Sequence, residues 1–88
     1  MKNNAIKVND KDNVAVATQI ILKGSPVVVD GQELLTAIED IPLGHKVALL
    51  PFSKGDSVIR YSEPIVETTQ EIQAGAWVHV HNTQPIMS

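Results

Sequence analysis

The sequence has 88 residues, a formal net charge of −3 and no cysteine, so it has neither a disulfide framework nor a thiolate metal site. A single domain of this length buries only about 60–65% of the surface that its unfolded chain exposes, so its core must be thin. Its seven lysines and arginines stand singly among ten acidic residues, which argues against nucleic-acid binding.

Apolar residues make up 43% of the sequence, and aromatic residues only 3%. We therefore expect a core of valine, isoleucine, leucine and alanine, with Trp77 as one of its few large rings. The apolar runs are too short for a membrane span or for a signal-peptide core. These features predict a soluble cytoplasmic protein that binds neither membranes nor nucleic acids.

The first half of the chain predicts short strands. Residues 1–5 are largely polar and are expected to be a flexible terminus, and the alternation of Ile6 and Val8 with polar residues predicts an opening strand. Residues 14–18 predict the next strand. The pair at positions 30 and 31, Asp-Gly, predicts a β-hairpin with a type I′ turn. Residues 32–39 also fit a short helical turn, and that alternative stays open here.

The second half continues in the same way. Residues 47–50, 58–61 and 77–80 are rich in β-branched or aromatic residues, and prolines 42, 51 and 64 break any longer helix. Residues 83–88 have no core pattern and are expected to be a tail or the start of a linker. Residues 6–82 are then the domain.

One pattern occurs four times: an apolar residue, two free positions, glycine, two free positions and valine. Glycine enters positive φ at little steric cost, so each copy predicts a tight turn between two short strands. The prediction is an all-β fold of short strands joined by glycine turns. The copies lie at residues 21–27, 41–47, 52–58 and 72–78.

The three histidines are the main candidates for chemistry. If residues 77–80 form a strand, His79 and His81 point to one face with Cα atoms about 6.5–7 Å apart, close enough to share a divalent metal ion. The alternative is two solvent-facing side chains opposite a buried Val80. His45 follows a turn glycine and joins the pair if the sheet folds back; otherwise it is an exposed turn residue.

Other polar residues add weaker candidates. Asp12 and Asn13 offer a carboxylate and an amide that suit a metal or a histidine partner, although such pairs are more often ordinary polar turns. Lys46 and Arg60 are suited to a substrate carboxylate, since arginine binds one through two parallel hydrogen bonds. The alternative is that both are solvated surface charges.

Four motifs resemble one known family in order and spacing. They lie at residues 12–17, 41–49, 58–65 and 75–82, and they are similar to the SAF domain of the altronate/galactarate dehydratase family. The resemblance covers residues 6–82. It implies a β-clip fold and a lyase function, as the N-terminal domain or small subunit of a metal-dependent sugar-acid dehydratase similar to altronate dehydratase.

The resemblance also implies partners and roles. His45, His79 and His81 are expected to be catalytic, with His79, His81 and Asp12 holding a divalent metal, Fe²⁺ first and Mn²⁺ or Zn²⁺ as alternatives. Lys46 and Arg60 would bind the sugar acid, beside a large catalytic domain or subunit and in a possible homo-oligomer. The alternatives are the small subunit of sulfolactate sulfo-lyase and a non-catalytic carbohydrate-binding or oligomerisation module.

Overall fold

The structure, a computed structural model, describes residues 2–86 and confirms the all-β prediction, because every regular element in that range is a strand. Within residues 2–86 no helix is long and apolar enough to span a membrane. The strands are β1 (Ala5–Ile6), β2 (Val14–Ala17), β3 (Pro26–Val29), β4 (Gln32–Thr36), β5 (Lys46–Ala48), β6 (Ser57–Arg60), β7 (Glu63–Thr68), β8 (Trp77–Val78) and β9 (Thr83–Gln84).

The strands form one central sheet and two lateral ones. The central sheet has four strands in the order β1-β2-β5-β8, and every neighbouring pair is antiparallel. The hairpin β3-β4 forms a second sheet, and β6-β7-β9 form the third. The two lateral sheets thus belong to opposite halves of the chain.

The four glycine patterns make two equivalent pairs of turns, related by a shift of 31 residues (55 − 24). Gly24 donates its N–H to the Ala37 carbonyl at 2.8 Å, and Gly55 makes the equivalent bond to Thr68 at 2.9 Å. In the same way an Ile21–Ile41 bridge in the first half corresponds to a Phe52–Ile72 bridge in the second. The first and last residues of all four patterns are buried. The repeated pattern therefore encodes a repeated structure.

The central sheet separates two small apolar cores. Ala15 and Val47 are paired across the sheet and belong to one core, whereas Val14 and Ala48 are paired and belong to the other. Because side chains alternate between the faces of a strand, each face of the sheet buries its own cluster. At the end of β5, Val47 therefore faces the first core and Ala48 faces the second.

The hairpin at Asp30 and Gly31 is confirmed, with φ values of 51° and 76° that fit a type I′ turn. The helical alternative for residues 32–39 is wrong, because residues 32–36 form β4 and pair with β3. Pairing with β3 satisfies the backbone of this segment, and this tertiary contact outweighs its moderate helix propensity.

Both ends of the described chain are more ordered than the sequence predicts. Asn4 and Ala5 are buried, and the Asn4 amide donates to Pro26 and accepts from the Val28 N–H, both at 2.8 Å. At the other end, β9 pairs with β7 within the segment expected to be a tail. Residues 1, 87 and 88 lie outside the described residues.

Candidate functional site

Four rings meet where β5 begins and β8 ends, and we call His45, Trp77, His79 and His81 the imidazole cluster. The ring centroids of His45 and His79 are 4.4 Å apart, and Trp77 stacks on His79 at 5.5 Å with an interplanar angle of 10°. His81 lies 4.9 Å from Trp77 on the same measure. All three histidines of the chain therefore share one tryptophan.

The strand register explains why His45 meets His79. β5 and β8 pair Lys46 with Val78 and Val47 with Trp77. In an antiparallel ladder the next pair in this direction is His45 with His79, and directly opposed side chains lie about 4.5–5.5 Å apart. The predicted approach of His45 to the other histidines is thus produced by sheet pairing.

The backbone of His45 is fixed on both sides. Gly44 takes a φ of 82°, and His45 then donates its N–H to the Pro42 carbonyl at 3.0 Å. The His45 carbonyl accepts a hydrogen bond from Ala17 in β2 at 2.9 Å. The imidazole therefore starts from a rigid turn rather than from a mobile loop.

The prediction that His79 and His81 lie on a strand is wrong. β8 ends at Val78, and residues 79–82 form a turn in which the Asn82 N–H donates to the His79 carbonyl at 3.1 Å. Val80 is 78% exposed, so the alternative with a buried Val80 is also wrong. The signal for the turn was Asn82 itself, because asparagine favours turns by hydrogen bonding to nearby backbone.

Trp77 has a role that the sequence prediction missed. Its half-buried ring packs against the core that contains Val47, in line with the predicted core position. In addition, its Nε1–H donates a hydrogen bond to Nδ1 of His45 at 3.0 Å. One side chain thus connects the apolar core with the histidines.

The electrostatics of the cluster favour a neutral His79. Burial lowers the pKa of its imidazole, and repulsion from Lys46 and from the protonated forms of His45 and His81 lowers it further. A neutral imidazole keeps a nitrogen lone pair that can bind a metal or accept a proton. The arrangement therefore suits His79 to ligand or base chemistry.

Lys46 is an electrostatic neighbour of His79 in the cluster, and Arg60 is in turn a neighbour of Lys46. Burial lowers the pKa of Lys46, and the charge of Arg60 lowers it further. Within residues 2–86, Nε of Arg60 is the buried side-chain atom that lacks a hydrogen-bond partner, while its guanidinium lies 4.7 Å from the Tyr61 ring centroid. Two cations that act on one another in this way are suited to binding an anion between them.

Asp12 has a structural role in the part of the chain that the structure describes. Its carboxylate accepts hydrogen bonds from the N–H of Asn9 at 3.2 Å and of Ser62 at 2.9 Å. Burial raises the pKa of this carboxyl, but hydrogen bonds from backbone amides, led by that of Ser62, outweigh burial and lower it. The Asn13 side chain likewise donates to the Ser57 carbonyl and accepts from the Ile59 N–H. Asp12 and Asn13 therefore match the polar-turn alternative.

The predicted metal ligands His79, His81 and Asp12 are not brought together. Among residues 2–86 no group of three or more histidine, aspartate or glutamate side chains is arranged to hold a metal ion. The cluster itself lies on an open surface, with His81 exposed, and no enclosed pocket is found in the described range. What this chain brings together is three imidazoles and an indole, with the cation of Lys46 close enough to act on His79.

Fold and site together define a small all-β domain that carries an imidazole cluster on its surface. The family model for the altronate/galactarate dehydratase SAF domain matches residues 3–85, and the chain belongs to this family.

Three relatives show how the domain occurs elsewhere. Altronate dehydratase of Escherichia coli is 43% identical over 83 residues, which are 94% of this chain but 17% of that enzyme. Galactarate dehydratase (L-threo-forming) of the same species is 45% identical over 74 residues, 83% of this chain and 14% of that enzyme. The (2R)-sulfolactate sulfo-lyase subunit alpha of Paracoccus pantotrophus is 50% identical over 48 residues, 54% of this chain and 72% of that subunit. The chain thus spans less than a fifth of either dehydratase.

Proposed function

We propose that this chain is the small domain or subunit of a sugar-acid dehydratase similar to altronate dehydratase. In this proposal it is part of a carbon–oxygen lyase and contributes the imidazole cluster to an active site shared with a larger catalytic portion. The observation that carries the proposal is the convergence of His45, His79 and His81 around Trp77 in a member of this family.

The chemistry of water elimination matches the groups present. Removing the proton beside a carboxylate creates an enediolate, whose charge needs nearby cations or hydrogen-bond donors. Lys46 and Arg60 would hold the carboxylate, because the two cations lie close enough to act on one another. A histidine of the cluster would carry the proton that leaves or returns with the hydroxyl group.

A divalent metal is part of the proposal, with Fe²⁺ as the first expectation and Mn²⁺ or Zn²⁺ as alternatives. When bound, such an ion would stabilise the charge on the enediolate oxygens. His79 and His81 fit as nitrogen ligands, because the lowered pKa of His79 keeps its imidazole neutral. The described residues supply no third ligand at this place, so the others would come from the larger portion of the enzyme.

A second candidate is the alpha subunit of a sulfolactate sulfo-lyase, in which the departing group is sulfite instead of hydroxide. One observation favours it: the match covers 72% of the Paracoccus subunit, so that relative is itself a small chain. The same cluster would then serve a different leaving group. The substrate assay below separates the two candidates.

In the test, residues 3–85 of this chain replace the matched segment of the Escherichia coli altronate dehydratase. The proposal predicts that the hybrid enzyme converts altronate to its keto acid, with activity lost when the segment is deleted. The same chain is then supplied in place of the sulfo-lyase alpha subunit, and sulfite release from sulfolactate is measured. Activity in neither setting, with a hybrid that folds and assembles, would leave a non-catalytic binding or oligomerisation module.

A further inference from the structure

We propose that Trp77 is a positioning residue that holds His45 in the tautomer with its proton on Nε2. His45 then serves as a neutral hydrogen-bond donor toward a substrate oxygen, rather than as a metal ligand or as the acid. The identity of that oxygen rests on the proposed function, whereas the tautomer follows from the hydrogen bond between Trp77 and His45 alone.

The tautomer follows from the donor inventory of the two rings. The indole Nε1–H of Trp77 can only donate, so Nδ1 of His45 must be the acceptor of the 3.0 Å bond. A neutral imidazole has one protonated and one unprotonated nitrogen, and an imidazolium has no acceptor at all. With its lone pair used on Nδ1, a neutral His45 carries its proton on Nε2.

Both partners are held in place by bonds that do not involve their rings. The Trp77 N–H donates to Oε2 of Glu39 at 3.0 Å, and the Trp77 carbonyl accepts from the Asn82 side chain at 2.9 Å. The backbone of His45 is fixed by Pro42 and Ala17 as described above. The hydrogen bond therefore joins two rigid positions of the central sheet.

The opposite side of the His45 ring remains available. Nε2 makes no hydrogen bond to the described residues, and it is not among their buried atoms that lack a partner. It is therefore open to a bound molecule. An N–H at this position can stabilise negative charge that develops on a substrate oxygen, as preorganised donors do in other active sites.

The tautomer of His45 gives the histidines of the cluster different roles. A metal ligand needs a free nitrogen lone pair, and His45 has none while Trp77 is bonded to it. Proton donation from the neutral form would leave an imidazolate. This anion is so strongly basic that a neutral imidazole is too weak an acid for the reaction. His79 and His81 therefore remain as the candidates for a metal or for proton transfer.

The direct test is nitrogen NMR of the 88-residue chain labelled with ¹⁵N-histidine, at a pH where the imidazoles are neutral. His45 signals are assigned by their loss in His45→Asn. We expect Nδ1 of His45 to show an unprotonated nitrogen and Nε2 a protonated one. Trp77→Phe should move the two signals toward each other as the tautomers mix. A wild-type His45 with its proton on Nδ1, or signals that do not change in Trp77→Phe, would overturn the proposal.

A second measurement covers the case in which Trp77→Phe does not fold. Hydrogen exchange of the indole N–H is compared in the wild type and in His45→Ala, with the backbone amides of β2 as an internal reference. We expect the indole N–H to exchange up to about tenfold faster in the variant, because its hydrogen-bond acceptor is lost. Equal exchange rates would show that the bond is absent.

The functional part is tested in the hybrid enzyme. His45→Gln retains an N–H donor near the position of Nε2, whereas His45→Asn does not, so the glutamine variant should retain more kcat. Equal kcat for the two variants would contradict the donor role. If NMR finds the expected tautomer but the unsubstituted hybrid is inactive, the proposed function fails while the assignment of His45 stands. If the hybrid is active but NMR does not find this tautomer, only the assignment of His45 is rejected.

Discussion

His79 and Asn82 are joined by two hydrogen bonds: the His79 N–H donates to Oδ1 of Asn82 at 2.9 Å, and the Asn82 N–H donates to the His79 carbonyl at 3.1 Å. The same side chain donates from Nδ2 to the Trp77 carbonyl at 2.9 Å. Asn82 is buried and both bonds of its side chain are partly buried, so water would replace them poorly. The turn at residues 79–82 is therefore held mainly by Asn82, with one further bond from the Thr83 hydroxyl to the His79 carbonyl at 2.8 Å.

Asn82→Ala should destabilise the domain by about 1–3 kcal/mol, because it leaves the His79 N–H and the Trp77 carbonyl, which are partly buried, without their side-chain partner. Urea unfolding followed by the fluorescence of Trp77, the one tryptophan of the chain, measures the change. The exposed Gln73→Ala serves as the control. A variant as stable as this control would contradict the role given to Asn82.

Gly75→Ala should be more destabilising than Gly24→Ala, although the two glycines have nearly the same φ, 89° and 88°. Positive φ costs an alanine about 1–2 kcal/mol at either position. At Gly75 a Cβ would also overlap the Thr36 carbonyl oxygen, whereas at Gly24 it meets nothing within 4 Å. The difference in the free energy of unfolding between the two variants isolates this close approach, and equal values would contradict it.

His79 should titrate below the ordinary histidine value of about 6.5, because burial and the nearby positive charges lower its pKa. The folded state then holds fewer protons than the unfolded state, so stability is full above pH of about 6.5 and falls as the pH drops through the folded pKa. NMR titration gives the pKa, and Lys46→Gln should raise it. A lowered pKa that does not respond to Lys46→Gln would remove Lys46 from the causes.

Asp12→Asn should lower the urea concentration at the midpoint of unfolding without changing Zn²⁺ binding. The carboxylate accepts bonds from Asn9 and Ser62, and its lowered pKa makes it stabilising above pH of about 3.8, an effect lost as the pH falls through the folded pKa. His79→Ala with His81→Ala should instead weaken Zn²⁺ binding by about tenfold or more. Calorimetry of both variants decides, and weaker binding in Asp12→Asn would restore Asp12 as a ligand.

Much of the fold could be predicted because it depends on local signals. The glycine patterns and the pair Asp30-Gly31 determine turns through backbone conformation, which the sequence shows directly. The exact end of β8 could not be predicted in this way. It depends on Asn82 reaching back to His79 and Trp77, and a β-branched residue at position 80 is equally compatible with a strand.

The candidate site, too, could be predicted only in part from the sequence. The residue types identified the three histidines, but their meeting depends on the register of β5 against β8. The hydrogen bond from Trp77 to His45 depends on that register as well, so a sequence could suggest only a core role for the tryptophan. Asp12 was predicted as a ligand from its carboxylate alone, and its bond to the backbone of Ser62 could not be predicted because Ser62 is 50 residues away in sequence.

Altronate turnover by the hybrid enzyme with His79→Ala and His81→Ala tests whether these imidazoles take part in the reaction. Because we assign them metal-binding or proton-transfer roles, we expect kcat/KM to fall by at least about 100-fold. Val80→Ala, which changes the 78% exposed residue between them, should leave turnover nearly unchanged. A double variant that folds and turns over altronate as fast as the unsubstituted hybrid would contradict the account.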